Sequence, residues 1–141
     1  MKALTRLIFL AAAALLFSVS TVAVFYSPAA SAMQPREFTD SAGTKLLYRI
    51  YVPDDVAEGE KLPLLLYLHG AGHRGSDNAL HVYFEPGILA RVLSSEYKRC
   101  ILVAPQCPEG ARWVDTPWEA GSYSIENVPE SKQLCAVYEL I

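Results

Sequence analysis

The residues with the clearest chemical potential lie in a glycine-rich polar segment, residues 70–78 (GAGHRGSDN), which follows an apolar run. Gly70, Gly72 and Gly75 satisfy the pattern G-x-G-x-x-G, which in a strand–loop–helix unit cradles the pyrophosphate of a dinucleotide. The same segment, headed by His69, suits a second chemistry, in which backbone N–H groups stabilise the negative oxygen that develops during acyl transfer. Glycine favours that use, because a turn without side chains lets its amides point at the oxygen. A plain glycine-rich connection is the third interpretation.

Three features of the sequence argue against a dinucleotide site. The loop continues with the polar residues 76–78 instead of turning at once into an apolar helix. The preceding strand is not the first of its sheet. Glu96, the acid nearest the required offset, lies before the next strand begins, whereas a ribose-binding acid belongs at the strand's end. We therefore favour the oxyanion interpretation, for which the candidate donors are the N–H groups of Ala71 and Gly72.

The histidines offer a metal site as a rival. His69, His73 and His81 are the only three in the chain. The first two are four residues apart, a spacing that places two zinc ligands on one face of a helix. Here the spacing spans a glycine-rich loop, and no cysteine or acid completes an evident ligand set, although Asp77 and Glu85 lie nearby. We expect no functional metal.

Aromatic residues in a long irregular segment, residues 106–123, give a different class of function. Trp113, Trp118 and Tyr123 could stack on a sugar or polymer surface, or they could cover one edge of the sheet. We favour the second interpretation. The alternative is a non-catalytic exported module that binds carbohydrate or another polymer through Trp113 and Trp118.

The elements that must position these residues follow from apolar periodicity. Residues 44–52 are rich in aliphatic and aromatic side chains and predict a strand. Residues 63–69 form an unalternated apolar run, typical of a strand covered on both faces. A helix is predicted over residues 86–93 and a further strand over residues 100–104.

A last helix is predicted from Asn127 as its cap, with Pro129 in the first turn. Its apolar stripe consists of Leu134, Val137, Tyr138 and Ile141. Alternating strands and helices predict an α/β fold with a mostly parallel sheet. Because two or three strands would leave an open edge and an uncovered face, the domain looks unfinished.

The amino-terminal segment resembles an export signal. Lys2 and Arg6 precede residues 7–26, in which 17 of 20 side chains are apolar, and residues 30–32 read Ala-Ser-Ala. This order predicts a signal peptide over residues 1–32, cleaved after Ala32, and a secreted or periplasmic location. An uncleaved membrane anchor is the alternative. Loss of Lys2 and Arg6 from the 12 basic residues leaves 10 against 15 acidic ones, a formal net charge of −5, which argues against nucleic-acid binding. Export also separates the chain from nicotinamide cofactors.

The three cysteines give a weaker signal. Cys100 opens a predicted strand and is expected to be a small buried residue. Cys107 and Cys135 could pair if the fold brings them together, and the odd count leaves at least one thiol unpaired within the chain.

The greater part of the chain resembles a known family. Residues 62–78 (LPLLLYLHGAGHRGSDN), residues 101–108 (ILVAPQCP) and Trp113 resemble the first half of an exported α/β-hydrolase. The group concerned is that of the carboxylesterases and predicted peptidases related to polyhydroxybutyrate depolymerases and feruloyl esterases. The resemblance covers residues 38–141. It implies a Ser-His-Asp hydrolase acting on small-molecule or polymeric esters, without a metal or an organic cofactor.

The resemblance assigns roles to a few residues. Ala71 and Gly72 match the oxyanion-hole positions, and the surrounding loop scaffold is matched by His69, Gly70, Arg74 and Asp77. The nucleophile of the family lies on a G-x-S-x-G turn, a pattern absent around Ser76, Ser94, Ser95, Ser122, Ser124 and Ser131. The acid and base come later in the family's order. We therefore expect residues 33–141 to be the amino-terminal part of an α/β-hydrolase domain, cut short before the nucleophile elbow and inactive alone.

Overall fold

A computed structural model describes residues 31–83, 86–124 and 126–141. The predicted signal peptide lies outside the described residues, apart from Ser31 and Ala32. Within the described ranges, no helix has the length and apolar character needed to cross a membrane.

A mixed sheet is built from strands β1 (Gln34–Thr39), β2 (Lys45–Tyr51), β3 (Leu64–Leu66) and β4 (Ile101–Gln106), in the spatial order β1-β2-β4-β3. Strands β1 and β2 form an antiparallel hairpin, and β4 is antiparallel to β2. Strand β3 alone runs parallel to its neighbour β4.

The expectation of a mostly parallel sheet is wrong, because two of the three strand pairings are antiparallel. The short turn between β1 and β2 enforces one of them, since strands joined by so few residues can pair only in opposite directions. Asp40 shapes this turn by accepting a 2.6 Å hydrogen bond from the Thr44 N–H, while Gly43 takes a positive φ of 85°. Strand β1 was not predicted, because it is an exposed edge that contains Pro35 and charged side chains and carries little apolar pattern.

The helical part agrees better with the prediction. Helices α1 (Leu80–Tyr83) and α2 (Pro86–Ser94) connect β3 to β4, which confirms the predicted strand–helix–strand unit. Helix α3 (Lys132–Leu140) confirms the last helix, but its cap is Ser131, whose side chain accepts from the Leu134 N–H, and not Asn127. The stripe was only half right, because Val137 is buried while Tyr138 and Ile141 are 68% and 56% exposed.

Helices pack on both faces of the sheet. On one face, Leu102 and Ala104 of β4 pack with Met33, Val82 and Cys100. On the other face, Leu46 of β2 packs against Ala136 and Val137 of α3. This two-sided burial accounts for the unalternated apolar sequence of β4.

All three cysteines are free thiols, so the Cys107–Cys135 pairing that the sequence left open is not formed. Cys100 is buried, as expected for the start of a core strand.

The parallel pair determines where the glycine-rich loop lies. Because β3 and β4 run in the same direction, their carboxyl ends meet at one edge of the sheet, where ligands bind in open α/β sheets. The loop that starts at His69 follows β3, and Cys107 follows β4 at the same edge.

Candidate functional site

The centre of the candidate site is a single 3₁₀ turn, Ala71–His73, at the carboxyl end of β3. The His73 N–H donates to the Gly70 carbonyl at 3.1 Å, which is the first hydrogen bond of the turn. The earlier N–H groups, those of Ala71 and Gly72, therefore have no acceptor within the turn itself. An added Cβ at Gly70 or Gly72 would meet no atom within 4 Å, and neither has a positive φ. The loop backbone is thus open to an approaching molecule, rather than dependent on glycine for its shape.

His69 anchors the start of the loop. It is 3% exposed, its Nδ1–H donates to the Gly70 carbonyl at 2.7 Å, and its Nε2 accepts from the Cys107 N–H at 2.9 Å. The Trp113 Nε1–H also donates to the His69 carbonyl at 3.0 Å. Burial lowers the pKa of His69, against the opposing effect of the Gly70 hydrogen bond. A neutral ring with both nitrogens engaged holds the loop against the end of β4 and has no free nitrogen for proton transfer.

Arg74 joins two loops. Its Nε donates to the Ala71 carbonyl at 2.9 Å, and its Nη1 donates to the Ala111 carbonyl at 3.0 Å. The planar guanidinium presents these donors in a fixed geometry. Arg74 therefore fixes the candidate oxyanion turn relative to the segment that contains Trp113.

Asp77 closes the loop by capping α1. Its Oδ1 accepts from the N–H groups of Ala79 and Leu80 and from Gln106 Nε2, at 2.8, 3.1 and 2.9 Å. Burial alone would raise the pKa of Asp77, but these hydrogen bonds, with that of Gln106 the strongest, hold it below its ordinary value. Asp77 is thus an ionised structural acceptor.

Gln106, which the sequence did not single out, is the hub beneath the loop. It is 1% exposed, and its Oε1 accepts from the Asn78 N–H at 2.7 Å while its Nε2 donates to Asp77. A Cβ on Gly75 would lie 3.2 Å from Gln106 Nε2, so a larger residue there would require the Gln106 amide to shift by a few tenths of an ångström. The one feature of the sequence that could have identified Gln106 is that it is a long polar residue at the end of an otherwise apolar strand.

Arg49 and Asn78 form a second hydrogen-bonded group, which fixes the far end of the loop. The sequence did not identify it. Asn78 has a φ of 50°, a region that asparagine tolerates better than most residues. Its carbonyl accepts from Arg49 Nε at 2.6 Å, and its Nδ2 donates to the Arg36 carbonyl at 3.0 Å. The Arg49 Nη1 also donates to the Met33 carbonyl at 3.0 Å. The loop is therefore tied to both strands of the amino-terminal hairpin.

The three histidines lie together, although their spacing did not predict it. The His69 ring centroid is 5.7 Å from that of His81 and 6.2 Å from that of His73. His81 is fully buried, its Nε2–H donates to the Ala104 carbonyl at 2.9 Å, and burial lowers its pKa to about 4. Among the described residues, which exclude Glu85, no group of three His, Cys, Asp or Glu side chains is arranged to hold a metal ion.

A cavity of about 160 Å³ opens beside the turn. Its walls include Ala71 but not Gly72, and no Asp, Glu or Ser of the described chain lines it. Trp113 is half-buried in this wall, whereas Trp118 is 66% exposed. Tyr123, 77% exposed, lies outside the cavity. The lining residues are His69, Gly70, Ala71, Arg74, Cys107, Ala111, Arg112, Trp113, Val114, Thr116 and Trp118.

The cavity wall as described provides no activated nucleophile. Its one thiol, that of Cys107, is 1% exposed, and burial raises its pKa despite the nearby charge of Arg74. A protonated, buried thiol is a poor nucleophile. Ser131 is buried and occupied in capping α3, where its Oγ also donates to the Trp113 carbonyl at 2.8 Å.

A comparison with solved structures gives a match to a thermostable esterase. The two chains are 32% identical, with a TM-score of 0.62, and the match covers 78% of this chain and 29% of the esterase chain. The chain has a hydrolase-like fold similar to that of an esterase. It spans less than a third of the length of that esterase. No protein-family model and no curated protein matches the chain.

Proposed function

We propose that the chain is the amino-terminal part of an exported serine carboxylic-ester hydrolase and that it supplies the oxyanion-hole loop. The observation that carries the proposal is the similarity to the thermostable esterase in both sequence and fold. Further support comes from the place of the loop, at the carboxyl ends of two parallel strands and beside a cavity. The group named by the sequence resemblance, the carboxylesterases related to polyhydroxybutyrate depolymerases and feruloyl esterases, is the family that we propose.

In this proposal the N–H groups of Ala71 and Gly72 donate hydrogen bonds to the carbonyl oxygen of the ester as that oxygen becomes negatively charged. Such donors accelerate acyl transfer because they are already oriented when the charge develops. His69, Arg74 and Asp77 act as positioning residues, since each holds the loop through hydrogen bonds to the surrounding backbone or to Gln106. The chemistry requires neither a metal nor an organic cofactor.

In this proposal the nucleophile comes from residues outside this sequence, because none of its serines lies in G-x-S-x-G. The acid and the base follow the nucleophile in the family's chain order, so the proposal places them outside it too. We therefore propose that the 141-residue chain is inactive alone. The purified chain should neither hydrolyse p-nitrophenyl esters nor react with a fluorophosphonate probe. Labelling of any serine would overturn this statement.

The coding DNA beyond the codon of Ile141 gives a direct test of the family assignment. A reading frame there should encode G-x-S-x-G, followed by an aspartate and a histidine in that order. If no frame encodes this series, the catalytic part of the proposal is wrong.

We also propose that residues 1–32 are removed during export. Expression of the full chain with its amino terminus intact, followed by mass spectrometry, should yield a product beginning at Met33 in the secreted or periplasmic fraction. Recovery of the uncleaved chain in the membrane fraction would support the anchor instead.

The second candidate function is a carbohydrate- or polymer-binding module. The observation in its favour is the exposure of Trp118 at the rim of the cavity. Trp113 is less suited to the role, since its indole N–H donates to the His69 carbonyl and its side chain packs against the buried cluster that contains Leu46 and Val137. The module predicts retention of the chain on an insoluble polysaccharide and loss of retention in Trp118→Ala. Absence of retention on any polysaccharide eliminates it.

A further inference from the structure

We propose that the cavity beside the loop binds a carboxylate carried on a flat apolar body, so that the esters recognised here bear a negative charge. This inference rests on the proposed function and deepens it, because it names the chemical class that the site accepts. It depends on the charge and shape of the cavity wall and not on the oxyanion amides.

The cavity is positive although the chain is acidic. Arg74 and Arg112 both line it, and no carboxylate of the described residues does. The formal net charge of the whole chain is −3, so two arginines without a lining acid form a local excess of positive charge. Neither arginine takes part in an ion pair among the described residues, whereas Arg99 pairs with both Asp55 and Glu60.

The two arginines differ in how much of their capacity is used. Arg74 directs two of its five N–H donors to backbone carbonyls, which fixes its position in the cavity wall. Arg112 lies with its Cζ 5.9 Å from the centroid of the Trp118 ring, an arrangement typical of a cation–π contact. A planar guanidinium held on an aromatic face can still donate two hydrogen bonds from its edge to a carboxylate.

The remaining wall favours an apolar body over a small hydrated anion. Ala71, Ala111, Val114 and the ring of Trp113 contribute apolar surface. A volume of about 160 Å³ is close to that of a cavity known to hold benzene. The combination of aromatic walls and unpaired guanidinium groups suits an aromatic monocarboxylate better than phosphate, which would lose its hydration against this wall.

Intrinsic fluorescence offers a direct test, because the chain has two tryptophans and both line the cavity. Titration with benzoate should change the emission with saturation. Benzamide, which has nearly the same shape without the charge, should bind at least about tenfold more weakly, as should inorganic phosphate. The benzoate affinity should fall as the salt concentration rises, because the charges are partly exposed.

Variants separate charge from packing. Arg112→Met should weaken benzoate binding about tenfold and reduce the preference over benzamide, whereas Arg112→Lys should retain part of that preference. Arg91→Met serves as the matched control, since Arg91 is exposed on α2 and does not line the cavity. It should leave benzoate binding unchanged.

Equal affinity for benzoate and benzamide in the unmodified chain would overturn the inference, as would a folded Arg112→Met variant with undiminished benzoate binding. Phosphate binding as tight as that of benzoate would also contradict it. The measurement needs no nucleophile, so its outcome is independent of the test on the coding DNA. If the coding DNA encodes G-x-S-x-G but the chain does not bind benzoate, this inference is rejected and the proposed function still stands.

Discussion

Acidification below about pH 6.5 should destabilise the folded chain through His81. This side chain is fully buried, and its pKa falls from 6.5 to about 4, chiefly because of burial. The hydrogen bond to the Ala104 carbonyl opposes the shift but does not cancel it. Protonation would add an N–H at Nδ1, a buried atom with no hydrogen-bond partner among the described residues.

The sign of the pH dependence follows from the two pKa values. The unfolded chain takes up a proton on His81 near pH 6.5, while the folded chain resists until about pH 4. Between these values the unfolded state binds more protons, so the free energy of unfolding falls as the pH falls. Above pH 6.5 the contribution is fully present. From the two pKa values, the loss between pH 7.5 and pH 5.5 is about 1.4 kcal/mol.

Urea denaturation at pH 7.5, 6.5 and 5.5 measures this loss. The interval lies above the ordinary pKa range of carboxylates, so the titration of aspartate and glutamate contributes little to it. The variant His81→Gln keeps a side-chain N–H for the Ala104 carbonyl but does not titrate, and its stability should depend less on pH across the interval. An imidazole proton NMR titration of the folded protein should show that the ring of His81 stays neutral at pH 5.5. If His81 titrates near 6.5 in the folded state, or if His81→Gln leaves the pH dependence unchanged, the reasoning is refuted.

Three further predictions concern the helix cap, the loop support and the burial of the cysteines. Ser131→Ala should lower the free energy of unfolding by about 1–2 kcal/mol, because it removes both the α3 cap and the hydrogen bond to the Trp113 carbonyl; urea denaturation should show a smaller loss for Ser131→Thr. Gln106→Leu should lower it by about 2 kcal/mol and accelerate hydrogen exchange at the Asn78 N–H, which loses its acceptor. Unchanged exchange there would show that Gln106 does not hold the loop. Iodoacetamide should modify the partly exposed Cys135 first in the folded chain, with the two buried thiols at least about tenfold slower, as followed by mass spectrometry. Equal rates at all three would contradict the burial of Cys100 and Cys107.

Much of the fold could be predicted because its signals are local. The apolar runs that became β2, β3 and β4 lie within single segments, and the periodic residues of α2 and α3 do the same. Edge strand β1 lacked an apolar pattern, because five of its six residues are exposed to solvent. The helix cap was misplaced by four residues, since Asn127 and Ser131 are both good caps by type. Ser131 caps α3, and its Oγ also donates to the distant Trp113 carbonyl.

The support of the candidate site was much less predictable than the loop itself. The hydrogen bonds of Gln106 to Asn78 and of Arg49 to Asn78 join residues 28 and 29 positions apart. No sequence periodicity relates residues so far apart. Gln106 and Arg49 lie in strands β4 and β2, and the apolar pattern of each strand predicts the strand but not the partners of these two polar side chains. The same holds for the three histidines, which meet because the loop, α1 and the end of β4 converge at one edge of the sheet.

Sequence alone was sufficient for the α/β character, for a glycine-rich loop after an apolar strand, and for the likeness to an ester hydrolase, because these depend on residue types in contiguous segments. The expectation that this strand is covered on both faces is wrong, since Leu64 and Leu65 of β3 are 45% and 40% exposed. Tertiary structure decided the direction of the strands, the placement of Arg74 and Arg112 on one cavity, and the identity of the residues that hold the loop. Those properties depend on contacts between segments far apart in the chain, which the pattern of residue types within any one segment does not specify.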